Sequence, residues 1–208
     1  MNRRDAIGRV AILMGGAVIG AEFFLSGCKP KAPAAAVADL FTPDNVAYLN
    51  EVADTILPTT SSPGAKDAKV GEFMGVMVRD CYTPADQKTF IEGMSKLNDA
   101  AKKKFNNGFM DLTPQQRTDL LIALDKEQKE FTEKRSKDLA ADMLKHKGEA
   151  NYKAPEMPNH YFRMIKELTL LGYFTSEIGA TKALRYIAVP GHYDGCVPYK
   201  KGDKAWAT

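Results

Sequence analysis

The chain has 208 residues, 44% hydrophobic and 26% charged, with 29 Lys and Arg against 26 Asp and Glu for a formal charge of +3. That length suits one domain, the apolar fraction excludes a disordered chain, and a charge so near neutral excludes the strong positive field that drives nucleic-acid binding. Three cysteines cannot build a disulfide scaffold. The sequence holds no Gly-x-Gly-x-x-Gly, phosphate-loop, His-Glu-x-x-His, Cys-x-x-Cys or Gly-x-Ser-x-Gly motif, so no catalytic residue is assigned.

Arg3-Arg4 comes first, followed from Val10 to Leu25 by a mostly apolar run and then by Leu25-Ser26-Gly27-Cys28. This is the layout of an export signal over residues 1–27. The run is shorter than the roughly 20 residues that span a bilayer and carries Glu22, whose charge is costly at the membrane centre; both weigh against a permanent transmembrane helix. The residues ending at Cys28 resemble a bacterial lipobox, in which the cysteine thiol takes up a diacylglycerol. That reading places the mature chain on the periplasmic side of the cell envelope, lipid-anchored to a membrane. Arg3 and Arg4 look like the pair of a twin-arginine signal, read by the system that exports folded proteins, while an ordinary secretory signal also opens with basic residues. Residues 28–40 read as a tether rich in Lys, Pro and Ala, and Lys29 to Asp39 at about 3.1 Å per residue reaches up to roughly 30 Å.

Residues 41–208 are predicted to form a single all-α domain. Thr42-Pro43-Asp44-Asn45, Thr83-Pro84-Ala85-Asp86 and Thr113-Pro114-Gln115-Gln116 repeat one helix start. The threonine hydroxyl accepts from an orphan backbone N–H, and the proline fills the first helical position, where its missing N–H costs nothing. Gln116 adds a capping box to the third. Behind these starts Val46, Leu49, Val52, Ala53 and Ile56 recur at helical spacing until Pro58. Phe90, Met94, Leu97, Ala101 and Phe105 form a second stripe, and Leu120, Leu121 and Leu124 open a third. Val70, Phe73, Met74 and Met77 predict a further helix over 70–81. Asp125 to Asp138 balances five acidic against five basic residues and reads as a solvated helix face laced with i,i+4 pairs.

From Pro158 the character changes. Tyr161, Phe162, Ile165, Leu168 and Leu171 mark a helix, Gly172 to Ala180 follows it, and a second short helical pattern runs through Leu184 and Tyr186. The aromatics and glycines of this last third either close the core or offer a docking face. The docking reading takes Tyr173, Phe174, Glu177, Tyr186, His192 and Tyr193, with Glu177 equally suited to a helix N-terminal acid. His146, His160 and His192 have no ligand-type spacing, so no metal site is expected. Cys81 and Cys196 are left after Cys28, and an oxidising compartment allows an internal disulfide, a bridge to a partner, or two free thiols.

The segments from Pro158 onward resemble the gluconate 2-dehydrogenase subunit 3 family, the small gamma subunits of membrane-bound, FAD-dependent sugar and polyol dehydrogenases. The likeness rests above all on Pro190-Gly191-His192-Tyr193. It extends back to Ile56-Leu57-Pro58-Thr59-Thr60 with Pro63-Gly64-Ala65, to Phe73 through Tyr82, and to Phe109-Met110-Asp111-Leu112-Thr113. It implies a non-catalytic accessory subunit with no cofactor of its own. The FAD, the catalytic base and the substrate pocket would belong to a large glucose-methanol-choline (GMC)-type partner, which this chain would escort, help to mature and anchor. A cytochrome c subunit is a further partner that the resemblance allows. The alternative is a stand-alone periplasmic ligand-binding lipoprotein, which needs a pocket.

Cys28 is expected to be the first residue of the mature chain and to carry acyl chains, since two or more chains anchor stably where one is marginal. Mass spectrometry of the N-terminal peptide checks this, and an unmodified Cys28 or a retained Met1 is the contrary result.

Overall fold

The computed structural model describes residues 40, 42–149, 151–189, 191–192 and 195–207. Arg3, Arg4, Cys28, the tether up to Asp39 and Tyr193 lie outside the described residues. Among those residues the helices are α1 (Pro43–Ile56), α2 (Val70–Cys81), α3 (Pro84–Phe105), α4 (Pro114–Lys145) and α5 (Tyr161–Thr175). A 3-10 turn at Phe109–Asp111 precedes α4, and a π-helical turn at Gly179–Ala183 follows α5.

The three threonine-proline segments start α1, α3 and α4 for the expected reason. The Thr83 hydroxyl accepts from the Asp86 N–H at 3.2 Å and that of Thr113 from the Gln116 N–H at 3.3 Å. Gln116 returns the favour, accepting the N–H of Thr113 at 3.0 Å, which completes the capping box. By contrast α2 starts from Lys69 in the left-handed region (φ 53°), and α5 starts where His160 Nδ1 accepts the Phe162 N–H at 3.3 Å.

Helix α5 lies among the others. It packs on α1, α2, α3 and α4, and buries Tyr161, Phe162, Met164, Ile165, Leu168, Thr169, Gly172 and Tyr173. Against it stand Leu49 and Val52 of α1, Met74 and Val78 of α2, the expected stripe Phe90, Met94, Leu97 and Ala101 of α3, and Leu120, Leu121 and Leu124 of α4. Leu40, which the sequence gives to the tether, also belongs to this core. Two close approaches require glycine. A Cβ on Gly93 would stand 2.4 Å from Tyr161 Cβ, and one on Gly172 would stand 2.5 Å from Phe73 Cδ1. Both distances are far inside van der Waals contact, so a side chain there would push helices apart.

The expected solvated face is present: beyond Gln128 no residue of α4 is buried, and Lys129–Asp125 (2.8 Å) and Lys137–Glu133 (2.7 Å) pair at i,i+4. One expected helix is shorter than its pattern. The π-helical turn closes with Leu184 N–H on Gly179 O at 3.0 Å, and the next residue's backbone is claimed by the chain end. Arg185 N–H bonds Ala205 O at 2.8 Å and Arg185 O accepts from Ala207 N–H at 2.9 Å, an isolated parallel bridge that leaves Tyr186 outside any helix. Cys81 and Cys196 are both exposed and the structure does not bridge them to each other; Cys81 Sγ instead lies 4.0 Å from Met77 Sδ on its own helix.

Arg117, 13% exposed in its side chain, ties α4 to the elements before it. Its guanidinium donates to Phe109 O at 3.2 Å and Met110 O at 2.7 Å, lies over the Phe109 ring at 5.4 Å and pairs with Glu51 of α1. Lys66 reaches the other Glu51 oxygen at 2.8 Å. The Lys66 hydrogen bond and, after it, Arg117 hold the Glu51 carboxyl below the usual carboxylate range against the opposing effect of burial.

A carboxyl depressed in the folded state adds stability above its unfolded pKa, and that contribution fades as pH falls through the lowered folded value. Urea denaturation of Glu51→Gln should therefore show a loss at pH 7 that shrinks on acidification below about pH 4. Arg117→Ala should cost about 3 kcal/mol at pH 7, because it strands two carbonyls and one member of a shielded pair. A Glu51→Gln deficit independent of pH would contradict the assignment.

Candidate docking surface

The sequence of α5 is apolar around much of its circumference in its second half. Leu168, Thr169, Gly172 and Tyr173 turn inward, while Leu170, Leu171 and Phe174 form an exposed apolar stripe, with Leu171 at 45% exposure. Leu171, which with Leu168 marks this helix in the sequence, faces out while Leu168 faces in. Val76 on the neighbouring helix α2 is exposed as well. Toward the helix start the stripe turns charged, with Arg163 paired to Glu167 at 2.7 Å. Between α4 and α5 Asp125 takes Lys129 at 2.8 Å and Lys166 at 2.6 Å and is thereby held at a pKa of about 2.

Past the stripe the chain turns sharply. The Ser176 hydroxyl donates to Tyr173 O at 2.6 Å and accepts from Gly179 N–H at 3.0 Å, capping the turn that Glu177 opens. Glu177 is exposed, at the position a helix N-terminal acid would take.

The six residues of the docking reading separate. Phe174, Glu177, Tyr186 and His192 are exposed, and Tyr193 lies outside the described residues. Tyr173 is a correction: it is 4% exposed, and its hydroxyl donates to Pro63 O at 2.6 Å, clamping the loop before α2 onto α5. Phe174 rests edge-on against it at 5.1 Å between centroids. The residues missed by sequence reasoning are Leu170 and Val76, and the available signal was a helix with more apolar positions than one stripe can bury.

Clefts of about 490 Å³ lie between α1 and α3 and between α4 and α5, and the first is the more polar. Two polar groups of the first serve the fold: Asn98 Oδ1 accepts from Phe109 N–H at 2.9 Å, and the Tyr48 hydroxyl donates to Met94 O at 3.2 Å. Among the described residues no group of three or more His, Cys, Asp or Glu is placed to hold a metal ion. His160 caps α5 and His146 stacks on Tyr152 at 3.9 Å.

The gluconate 2-dehydrogenase subunit 3 family model matches residues 43–191, which takes in all five helices and the turn after α5. No curated protein matches the chain. No solved structure matches it either.

Tyr173→Ala should cost about 3–5 kcal/mol in urea denaturation, as a buried aromatic does, and Tyr173→Phe about 1 kcal/mol for the lost hydrogen bond. Leu171→Ser should stay within about 0.5 kcal/mol of the parent. A Tyr173→Ala variant of unchanged stability would return Tyr173 to the docking face.

Proposed function

Because the chain belongs to the gluconate 2-dehydrogenase subunit 3 family, we propose that it is the non-catalytic accessory subunit of an FAD-dependent, GMC-type sugar or polyol dehydrogenase, and that it docks the large flavoprotein through the outer face of α5. The observation that carries this reading is the uncovered stripe of Leu170, Leu171 and Phe174 on the helix that organises the core. A helix apolar on all sides is at its most stable when every side is covered. Four helices cover the inner faces of α5, and a partner protein covers the outer one.

In this reading the flavin, the catalytic base and the substrate belong to the partner, and this chain supplies a docking surface, an export address and an anchor. The address is Arg3-Arg4 with the apolar run behind it, which suits a folded, cofactor-loaded partner travelling with its escort. Among the described residues no helix is long and apolar enough to cross a membrane. Attachment falls to the lipid on Cys28, with a cytochrome c subunit as a further partner.

The test is co-expression of the chain with the flavoprotein and purification through a tag on this chain. Leu171→Glu with Phe174→Glu should weaken the complex by upward of about 2 kcal/mol, roughly 30-fold, and deplete dehydrogenase activity from the membrane fraction. The thermal melt of the isolated chain should be unchanged. Co-purification at the parent level would overturn the docking face, and a chain that never retains a flavoprotein would overturn the function.

A further inference from the structure

We propose that the C-terminal segment 195–207 is a second membrane contact, which seats its aromatic side chains and lysines on anionic lipid headgroups. The segment lies beyond residue 191, where the family match ends. The proposal stands independently of the α5 docking face.

The segment is built against the domain. Besides the main-chain bridge to Arg185, Lys204 Nζ donates to Lys182 O at 2.6 Å, and the Arg185 guanidinium lies over the Trp206 ring at 4.7 Å. Asp203 turns the chain, its N–H bonding Lys200 O at 3.0 Å while its carboxylate accepts from Lys200 N–H at 3.0 Å. The same carboxylate stands 3.6 Å from Arg185. The order therefore comes from backbone bonds, the Lys204 and Asp203 side chains and one stacked cation, and Val197 and Tyr199 are left outward with Trp206 partly so. Tyr199 is 76% exposed and Trp206 45%, with Val197 also exposed.

Charge selects the occupant. Within 195–207 the ionisable side chains other than Tyr and Cys are Lys200, Lys201, Lys204 and the single acid Asp203, a balance of three cations to one anion. Lysine is depleted at protein–protein interfaces, and the α5 stripe accordingly presents none among Leu170, Leu171 and Phe174. Tyrosine and tryptophan beside lysine suit the membrane–water boundary instead: the rings sit at headgroup level, and the lysine stems lie along them with the amines in water. An anionic leaflet adds attraction for each lysine close to its surface.

Trp206 is the only tryptophan of the chain, so its fluorescence reports this segment alone. The full-length lipoprotein is reconstituted into vesicles of phosphatidylglycerol and phosphatidylethanolamine, or of phosphatidylcholine, each with and without brominated acyl chains. In the anionic vesicles the emission should shift to the blue and be quenched by bromine, and in phosphatidylcholine both effects should be weaker. Replacing Lys200 and Lys201 together by Gln, which leaves the Lys204 bond to the domain in place, should lower the equilibrium constant for contact roughly 30-fold and return the emission toward that of an indole in water. An unchanged circular dichroism melt of that exposed variant confirms that the domain stays folded. Emission unquenched in anionic vesicles would overturn the proposal, as would equal quenching in both lipids. So would a Trp206 shielded only when the flavoprotein is added, which would make the segment a protein interface.

Discussion

Everything in this domain depends on how closely α5 approaches its neighbours. A helix that must touch four others at once has little room for side chains at the crossings, and at Gly93 and Gly172 the facing atoms of Tyr161 and Phe73 occupy the space a Cβ would take. Dispersion falls off steeply over an ångström of separation, so a methyl group at either crossing would loosen Phe162, Ile165 and Leu168 together. The tightness of the inner face also fixes which residues are left outside. Once Gly172 and Tyr173 are drawn in, helical geometry obliges Leu170, Leu171 and Phe174 to face outward.

Two of the segments that carry the family likeness meet in space. The loop around Pro63 is organised by the Gly64 N–H, which donates to Asp67 at 2.9 Å and to Thr59 at 3.1 Å, and by Ala65 N–H on Leu57 O at 2.9 Å. The Tyr173 hydroxyl then pins that loop to the end of α5. Their residues thus have a structural task, and the surfaces left around them differ in chemistry. The α5 stripe is apolar and free of lysine, whereas the chain end mixes aromatic rings with cations.

What was legible in the sequence was local. A threonine, a proline and an acceptor three residues on dictate a helix start without reference to anything distant, and the α3 stripe repeats within a single face. Tyr173 was placed on the docking face because a period of 3.6 cannot rank inward against outward where the second half of α5 is apolar all round; its hydroxyl is held by Pro63, 110 positions away. Leu184 and Tyr186 carry a helical pattern, but the backbone of Arg185 found other partners at Ala205 and Ala207. Arg117 and Glu51 look like ordinary surface charges until the fold brings them together across 66 positions.

The position of α5 in the chain has a consequence for synthesis. Among the described residues α1 to α4 all pack on α5, so they cannot complete the core before residues 161–173 are made. At roughly 5 to 20 residues per second, the stretch from residue 40 to residue 173 takes on the order of ten seconds to appear. Loop closure over such a separation is slow to repay its entropy, and the domain condenses late and as a unit.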